Sequence, residues 1–143
     1  MKPKLLVSAC LLGTPCRYDG ASKKNEALCA LCERSELIPV CPEVLGGLTT
    51  PRMPSERQGE RVIRKDGQDV TAHYRRGAEI ALAIAQREGV AAAILKERSP
   101  SCGSGEIYDG SFSGTLTAGD GVTAALLKAN GIRVFGESKI FLL

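Results

Sequence analysis

Three cysteines hold equivalent places in this chain. Cys10 follows the apolar run Leu5-Leu6-Val7, Cys41 follows Leu37-Ile38-Pro39-Val40, and Cys102 comes shortly after the run Val90 to Leu95. Runs of that length, bounded by turn signals, read as buried strands. In an open parallel α/β sheet, ligands bind beyond the carboxyl ends of the strands, so residues far apart in sequence meet there. Three thiolates in one pocket repel one another, and a bound cation removes that cost. Zinc and iron–sulfur clusters both take such ligands, and spacing alone favours neither. With only three protein thiolates, a four-iron cluster keeps one iron open, as a catalytic site requires.

Cys16 lies six residues after Cys10 in a loop. As a fourth ligand it would close the site and favour structure or electron transfer. Otherwise it is a thiol packing the loop. Cys29 and Cys32 form a C-x-x-C, but inside a helical pattern rather than at a helix start after a strand, where the dipole lowers a thiol pKa. They read as two small residues on a helix. The sole histidine, His73, opens a helix away from every strand end and reads as a surface or capping residue. Hydrolysis by a triad is therefore disfavoured. Glu43, two residues after Cys41, is placed to move protons at a bound metal, or else to pair with Arg17 or Arg52. Ser101, next to Cys102, is a donor to substrate or to cluster sulfur, or a turn residue after Pro100. Gly103-Ser104-Gly105 exposes backbone N–H groups suited to sulfide or an anion.

The elements that position these groups follow from the pattern. Strands are expected at Lys4 to Ser8, Leu37 to Val40, Val90 to Leu95 and Ile132 to Phe135. Helices are expected at Lys23 to Arg34, at Thr71 to Glu88 with Gly89 as its cap, and from an Asp120 cap to Ala129. Residues 45–67, with Gly46-Gly47, Pro51, Pro54 and several arginines, read as a long functional loop. A small hairpin is expected there, pairing Arg61 to Arg64 with Gln68 to Val70. Arg52, Arg57, Arg61 and Arg64 form a solvated face or meet an anionic substrate. The alternation gives the fold class: α/β, one domain over residues 1–143, an open and mostly parallel sheet with helices on both faces, Rossmann-like.

Composition sets the outer bounds. The chain has 143 residues, no Trp and few aromatics, so Leu, Ile, Val and Ala must build the core. A net charge of +3 neither requires nor excludes an RNA substrate. Six cysteines in a well-patterned α/β chain point to free thiols or a metal in a reducing cytoplasm, not to a disulfide framework. Val7-Ser8-Ala9-Cys10 resembles a lipoprotein cleavage box, but the apolar run before it is too short for a signal peptide. No segment approaches the ~20 apolar residues of a membrane span.

Three segments carry a resemblance. They are Ser8-Ala9-Cys10-Leu11-Leu12-Gly13 with Cys16-Arg17-Tyr18-Asp19-Gly20; Cys41 to Leu48 with Pro51-Arg52 and Glu56; and Leu95-Lys96 with Ser99-Pro100-Ser101-Cys102-Gly103. Together they resemble the thiouracil desulfurase family. The resemblance implies a cytoplasmic bacterial enzyme with an oxygen-sensitive 4Fe-4S cluster, held by Cys10, Cys41 and Cys102 with the fourth iron open. It implies removal of sulfur from a thiolated pyrimidine, giving uracil and sulfide without net redox change, with Glu43 and Ser101 as catalytic helpers. A thiolated nucleoside or RNA stays open as substrate. The rival expectation is a non-catalytic metal-binding or sulfur-carrier module whose closed site includes Cys16. Zinc is the alternative or artefactual occupant.

Overall fold

The computed structural model describes residues 2–143. Four parallel strands form the central sheet: β1 (Lys4–Ser8), β2 (Glu36–Val40), β5 (Ala92–Leu95) and β8 (Val134–Gly136). Their order is β2-β1-β5-β8, with Leu6 opposite Ile38 on one side and Ala93 on the other. The chain leaves β1 in one direction to reach β2 and leaves β5 in the other to reach β8. The topological switch point, where such sheets bind ligands, therefore lies between the ends of β1 and β5. A side chain joins those ends: Lys96 N donates to Ser8 Oγ at 2.9 Å.

Strand alternation sorts the core into two layers. Leu5, Val7, Ala92 and Ile94 face Leu11 and Leu28. Leu6, Ala93 and Leu95 face Ala85, Ala124 and Leu127. The second layer is covered by α3 (Thr71–Glu88) and α4 (Val122–Ala129). Burial of Tyr74, Ala78, Ala81 and Ala85 follows the helical repeat, and Gly89, at φ +64°, closes α3 with N–H bonds to Ala85 and Gln86. A fully buried side chain such as Leu6 contributes about 1.5–3 kcal/mol to folding.

The first layer is covered by shorter pieces, and here the expected helix from Lys23 to Arg34 is corrected. Only α1 (Glu26–Cys29) is α-helical, followed by a 3-10 turn over Ala30–Glu33. Lys23 N and Asn25 N are bonded to the carbonyls of Cys10 and Leu11, which holds 23–25 out of the helix, and the Asn25 side chain caps Leu28 N at 2.9 Å. Ala9–Leu12 is likewise a 3-10 turn, and Glu137–Leu142 is another that the sequence pattern did not reveal.

Two small hairpins stand apart from the sheet. The first pairs β3 (Ser55–Gln58) with β4 (Arg61–Arg64), not 61–64 with 68–70. A two-residue connection beginning at Gly59, φ +62°, makes that tighter pairing possible. The expected partner survives only as an isolated bridge between Ile63 and Asp69. The second hairpin pairs β6 (Glu106–Tyr108) with β7 (Leu116–Ala118). Its strands are too short to show a pattern. A one-turn helix, α2 (Pro42–Leu45), follows β2 directly, with Cys41 as N-cap and Pro42 at its first position.

Asp120 does not cap α4. Gly121 does, while the Asp120 carboxylate accepts from Gly105 N at 2.8 Å and from Lys128 Nζ at 2.9 Å. The first N–H groups of α4 are taken by the preceding loop instead: Val122 N bonds Pro100 O and Thr123 N bonds Ser101 O. A Cβ at Gly121 would collide with the Ser101 carbonyl. The helix thus clamps the loop that carries Cys102. Among the described residues, no helix is long and apolar enough to cross a membrane.

Candidate metal centre and active site

Beyond the carboxyl ends of β1, β2 and β5 lies a cavity of about 560 Å³. Cys10, Cys41 and Cys102 all line it, as the strand-end topology requires. Cys10 enters on the 3-10 turn after β1, Cys41 at the N-cap of α2, and Cys102 on the clamped loop after β5. Cys16 lines it as well. Cys41 Sγ donates to the Cys16 carbonyl at 3.7 Å.

The Cys41 and Cys102 thiols sit where their anions are disfavoured. The Cys16 neighbour, then burial, push Cys41 well above the usual thiol range. Burial pushes Cys102 up to about 12, against hydrogen bonds from Ser8 and Ser101. A bound metal reverses that preference, because its charge deprotonates a coordinating thiol. Among the described residues, no three His, Cys, Asp or Glu side chains are arranged to ligate one metal ion. The cysteines border a cavity from three strand ends, an arrangement suited to a polynuclear cluster met from several sides. Three thiols meeting on one cavity are a donor set that an iron–sulfur cluster takes.

Glu43 lines the same cavity from the first turn of α2. Its Oε2 accepts from Arg52 Nε at 3.0 Å, Arg52 Nη2 at 2.8 Å and the Tyr74 hydroxyl at 3.1 Å. The Arg52 pairing is the sequence alternative for Glu43, and the carboxylate still faces the cavity. Arg52 Nη2 also reaches the Cys16 carbonyl at 3.1 Å, tying the Cys16 loop to Glu43. Tyr74, 2% exposed, keeps its proton: burial first, then the Glu43 charge, raise its pKa well beyond the usual phenol range. Helical spacing within Thr71 to Glu88 carries no signal for this Tyr74 contact. Only the three-dimensional placement of α2 on α3 creates it.

Ser101 is fully buried, shares a 2.7 Å hydrogen bond with Thr123 Oγ1 and stands beside the Cys102 thiol. It does not line the cavity. Ser99 does, with an Oγ that accepts from Ser101 N at 3.1 Å and Cys102 N at 3.0 Å. The signal for Ser99 was the hydroxyl-turn pattern of Ser99-Pro100-Ser101. His73 Nδ1 donates to the Gly46 carbonyl, 2.9 Å away, at the end of α2. Cys29 contacts Leu11 O at 4.0 Å, and Cys32 is exposed. Neither lines the cavity. Of the loop arginines only Arg52 reaches it; Arg57 holds the Asp120 carbonyl and Arg64 pairs with Asp66.

A family model described as 2-thiouracil desulfurase matches residues 5–139. The uncharacterized protein YbbK of Bacillus subtilis (strain 168) is 44% identical over 146 residues, covering 95% of this chain and 97% of the relative. The solved structure of the 4Fe-4S-dependent thiouracil desulfidase TudS superposes with a TM-score of 0.94 at 53% identity, covering 99% of this chain and 95% of that one. With the strand-end cysteines, the carboxylate beside them and a family match over nearly its whole length, the chain belongs to the 2-thiouracil desulfurase family.

Proposed function

We propose that this protein is an iron–sulfur-dependent desulfidase that removes sulfur from a small thiolated pyrimidine, in one domain spanning residues 1–143. The observation that carries this reading is the meeting of Cys10, Cys41 and Cys102 with Glu43 at one cavity over the sheet's switch point. Family membership and the likeness to TudS support it. Cys10, Cys41 and Cys102 hold a 4Fe-4S cluster. When bound, the cluster would supply Lewis acidity to polarise the thiocarbonyl.

The chain's own groups do the rest. Glu43 Oε1 takes a proton from the water that attacks the ring carbon, and returns it to the departing sulfur. Arg52 and Tyr74 hold Oε2, so only the other oxygen is free to work. Ser99 and Ser101 fix the turn that presents Cys102. The chemistry is hydrolytic and needs no electron donor.

A closed site with Cys16 as fourth ligand is the second reading, favoured by the place of Cys16 on the same cavity, where its carbonyl accepts from Cys41 Sγ. C16S separates the two readings, losing the cluster if Cys16 is a ligand and keeping it if the site is open. Anaerobically reconstituted protein is expected to hold about four iron and four sulfide per chain and to release sulfide from 2-thiouracil. A cluster without sulfide release would turn attention to a thiolated nucleoside or RNA. No cluster after reconstitution would overturn the proposal.

A further inference from the structure

Aromatic residues are scarce in this chain and unevenly placed. All three Tyr and one of three Phe, Phe112, line the cavity. Tyr74 is committed to Glu43. Tyr18 is 41% exposed and lies under the Arg17 guanidinium, 5.8 Å from its ring centre. Phe112 is different, because the backbone there is held in an unfavourable conformation.

Among the described residues, Arg98 and Phe112 alone are non-glycine residues with positive φ, +69° and +56°. Both line the cavity. A bulky residue in the left-handed region persists only where its surroundings fix it. The surroundings are specific. Glu56, on β3 of the first hairpin, directs Oε1 into the loop between β6 and β7, where it accepts from Gly110 N at 2.9 Å and Phe112 N at 3.1 Å. Gln58 Nε2 donates to the Gly110 carbonyl at 2.9 Å. The rest of that loop is Asp109, Gly110, Ser111, Ser113, Gly114 and Thr115, and the Asp, Gly and Ser among them tolerate a turn better than a phenyl group does. A glycine would satisfy the backbone at position 112 without strain. A phenyl ring fixed there at such cost, facing the cavity, has a use for its face.

We propose that Phe112 is the stacking wall for the substrate's pyrimidine ring, and that Glu56 is the positioning residue that holds it there. This rests on the thiopyrimidine reading above. A planar, conjugated heterocycle is what an aromatic face recognises. The recognition uses the ring and not the sulfur, so uracil binds this wall as 2-thiouracil does.

The absence of Trp gives a clean test. In F112W holoprotein, the sole indole is expected to show saturable quenching on titration with uracil. In F112L, KM for 2-thiouracil is expected to rise about tenfold, the scale of one lost base–aromatic stack, with kcat changed much less and the cluster absorbance retained. E56A is expected to raise KM similarly. E56Q keeps a carbonyl oxygen for the two N–H groups and is expected to restore most of the loss. A normal KM in F112L, or no quenching in F112W by uracil, overturns the proposal. Failure of the wild type to release sulfide turns the substrate reading to a thiolated nucleoside or RNA instead, and the uracil titration still decides the stacking wall.

Discussion

Arg52 grips one oxygen of Glu43 and leaves the other alone. Nε and Nη2 both meet Oε2, and the Tyr74 hydroxyl joins them. Among the described residues, no hydrogen bond reaches Oε1 and no buried side-chain oxygen lacks a partner. Oε1 is therefore open to the cavity that Glu43 lines. The side chains are 8% and 16% exposed, so this pair is held in place and weakly screened. E43Q is expected to retain the cluster while kcat falls about 100-fold or more, the range of a lost general acid–base. Normal turnover by that variant, measured as sulfide release, would remove Glu43 from the mechanism.

Arg52 itself should behave as a fork and not as a charge. R52K keeps the cation but loses the two-pronged grip and the bond to the Cys16 carbonyl. Turnover is expected to fall about tenfold with the cluster spectrum intact, a loss near the ~1.4 kcal/mol that one decade represents. Comparable kcat in R52K and wild type would mean that charge alone suffices.

The cysteines divide three to one. C10S, C41S and C102S are each expected to lose iron and acid-labile sulfide after anaerobic reconstitution. C16S is expected to keep both and to keep turning over. Loss of the cluster in C16S would make the site closed, and would favour the metal-binding module over the enzyme.

Tyr74 links stability to pH. Its folded pKa is raised, chiefly by burial, above the usual phenol value of about 10. The unfolded chain therefore loses this proton first as pH rises. The stabilisation is complete below about pH 10 and is lost progressively above it. Y74F removes the donor to Glu43 and is expected to cost about 1 kcal/mol at neutral pH. It should also flatten the alkaline loss of stability. Parallel urea-denaturation series at neutral pH and above pH 10, for both proteins, read the two effects. An unchanged alkaline slope in Y74F would contradict this assignment.

Gly46 and Gly77 let α2 lie against α3. A Cβ at Gly77 would overlap the Pro42 carbonyl, and one at Gly46 would overlap His73 O. G77A is expected to destabilise the fold by about 1–3 kcal/mol. It should also lower kcat, because α2 carries Glu43 and its displacement separates the carboxylate from Tyr74. Thermal melts and sulfide release measure the two losses; a variant with normal stability would show that the helices simply slide apart.

The sequence by itself determined the four parallel strands, the long helix α3 and the strand-end positions of Cys10, Cys41 and Cys102. Those features are local. Apolar runs mark strands, a 3.6-residue repeat with a terminal glycine marks α3, and parallel topology brings successive strand ends to one edge. The Glu43 pairing with Arg52 was also visible as an alternative, since nine residues of turn-rich chain separate them. Other features were decided only in three dimensions. The helix expected over 23–34 shortened because distant carbonyls of Cys10 and Leu11 took its first N–H groups. Asp120 left its capping role because Gly105 and Lys128 bound it first. Tyr74 met Glu43 because two glycines allow α2 and α3 to touch. Glu56 found the Phe112 loop more than fifty residues further along the chain. Each of these depends on hydrogen bonds or close approaches between segments remote in sequence, for which no local periodicity exists.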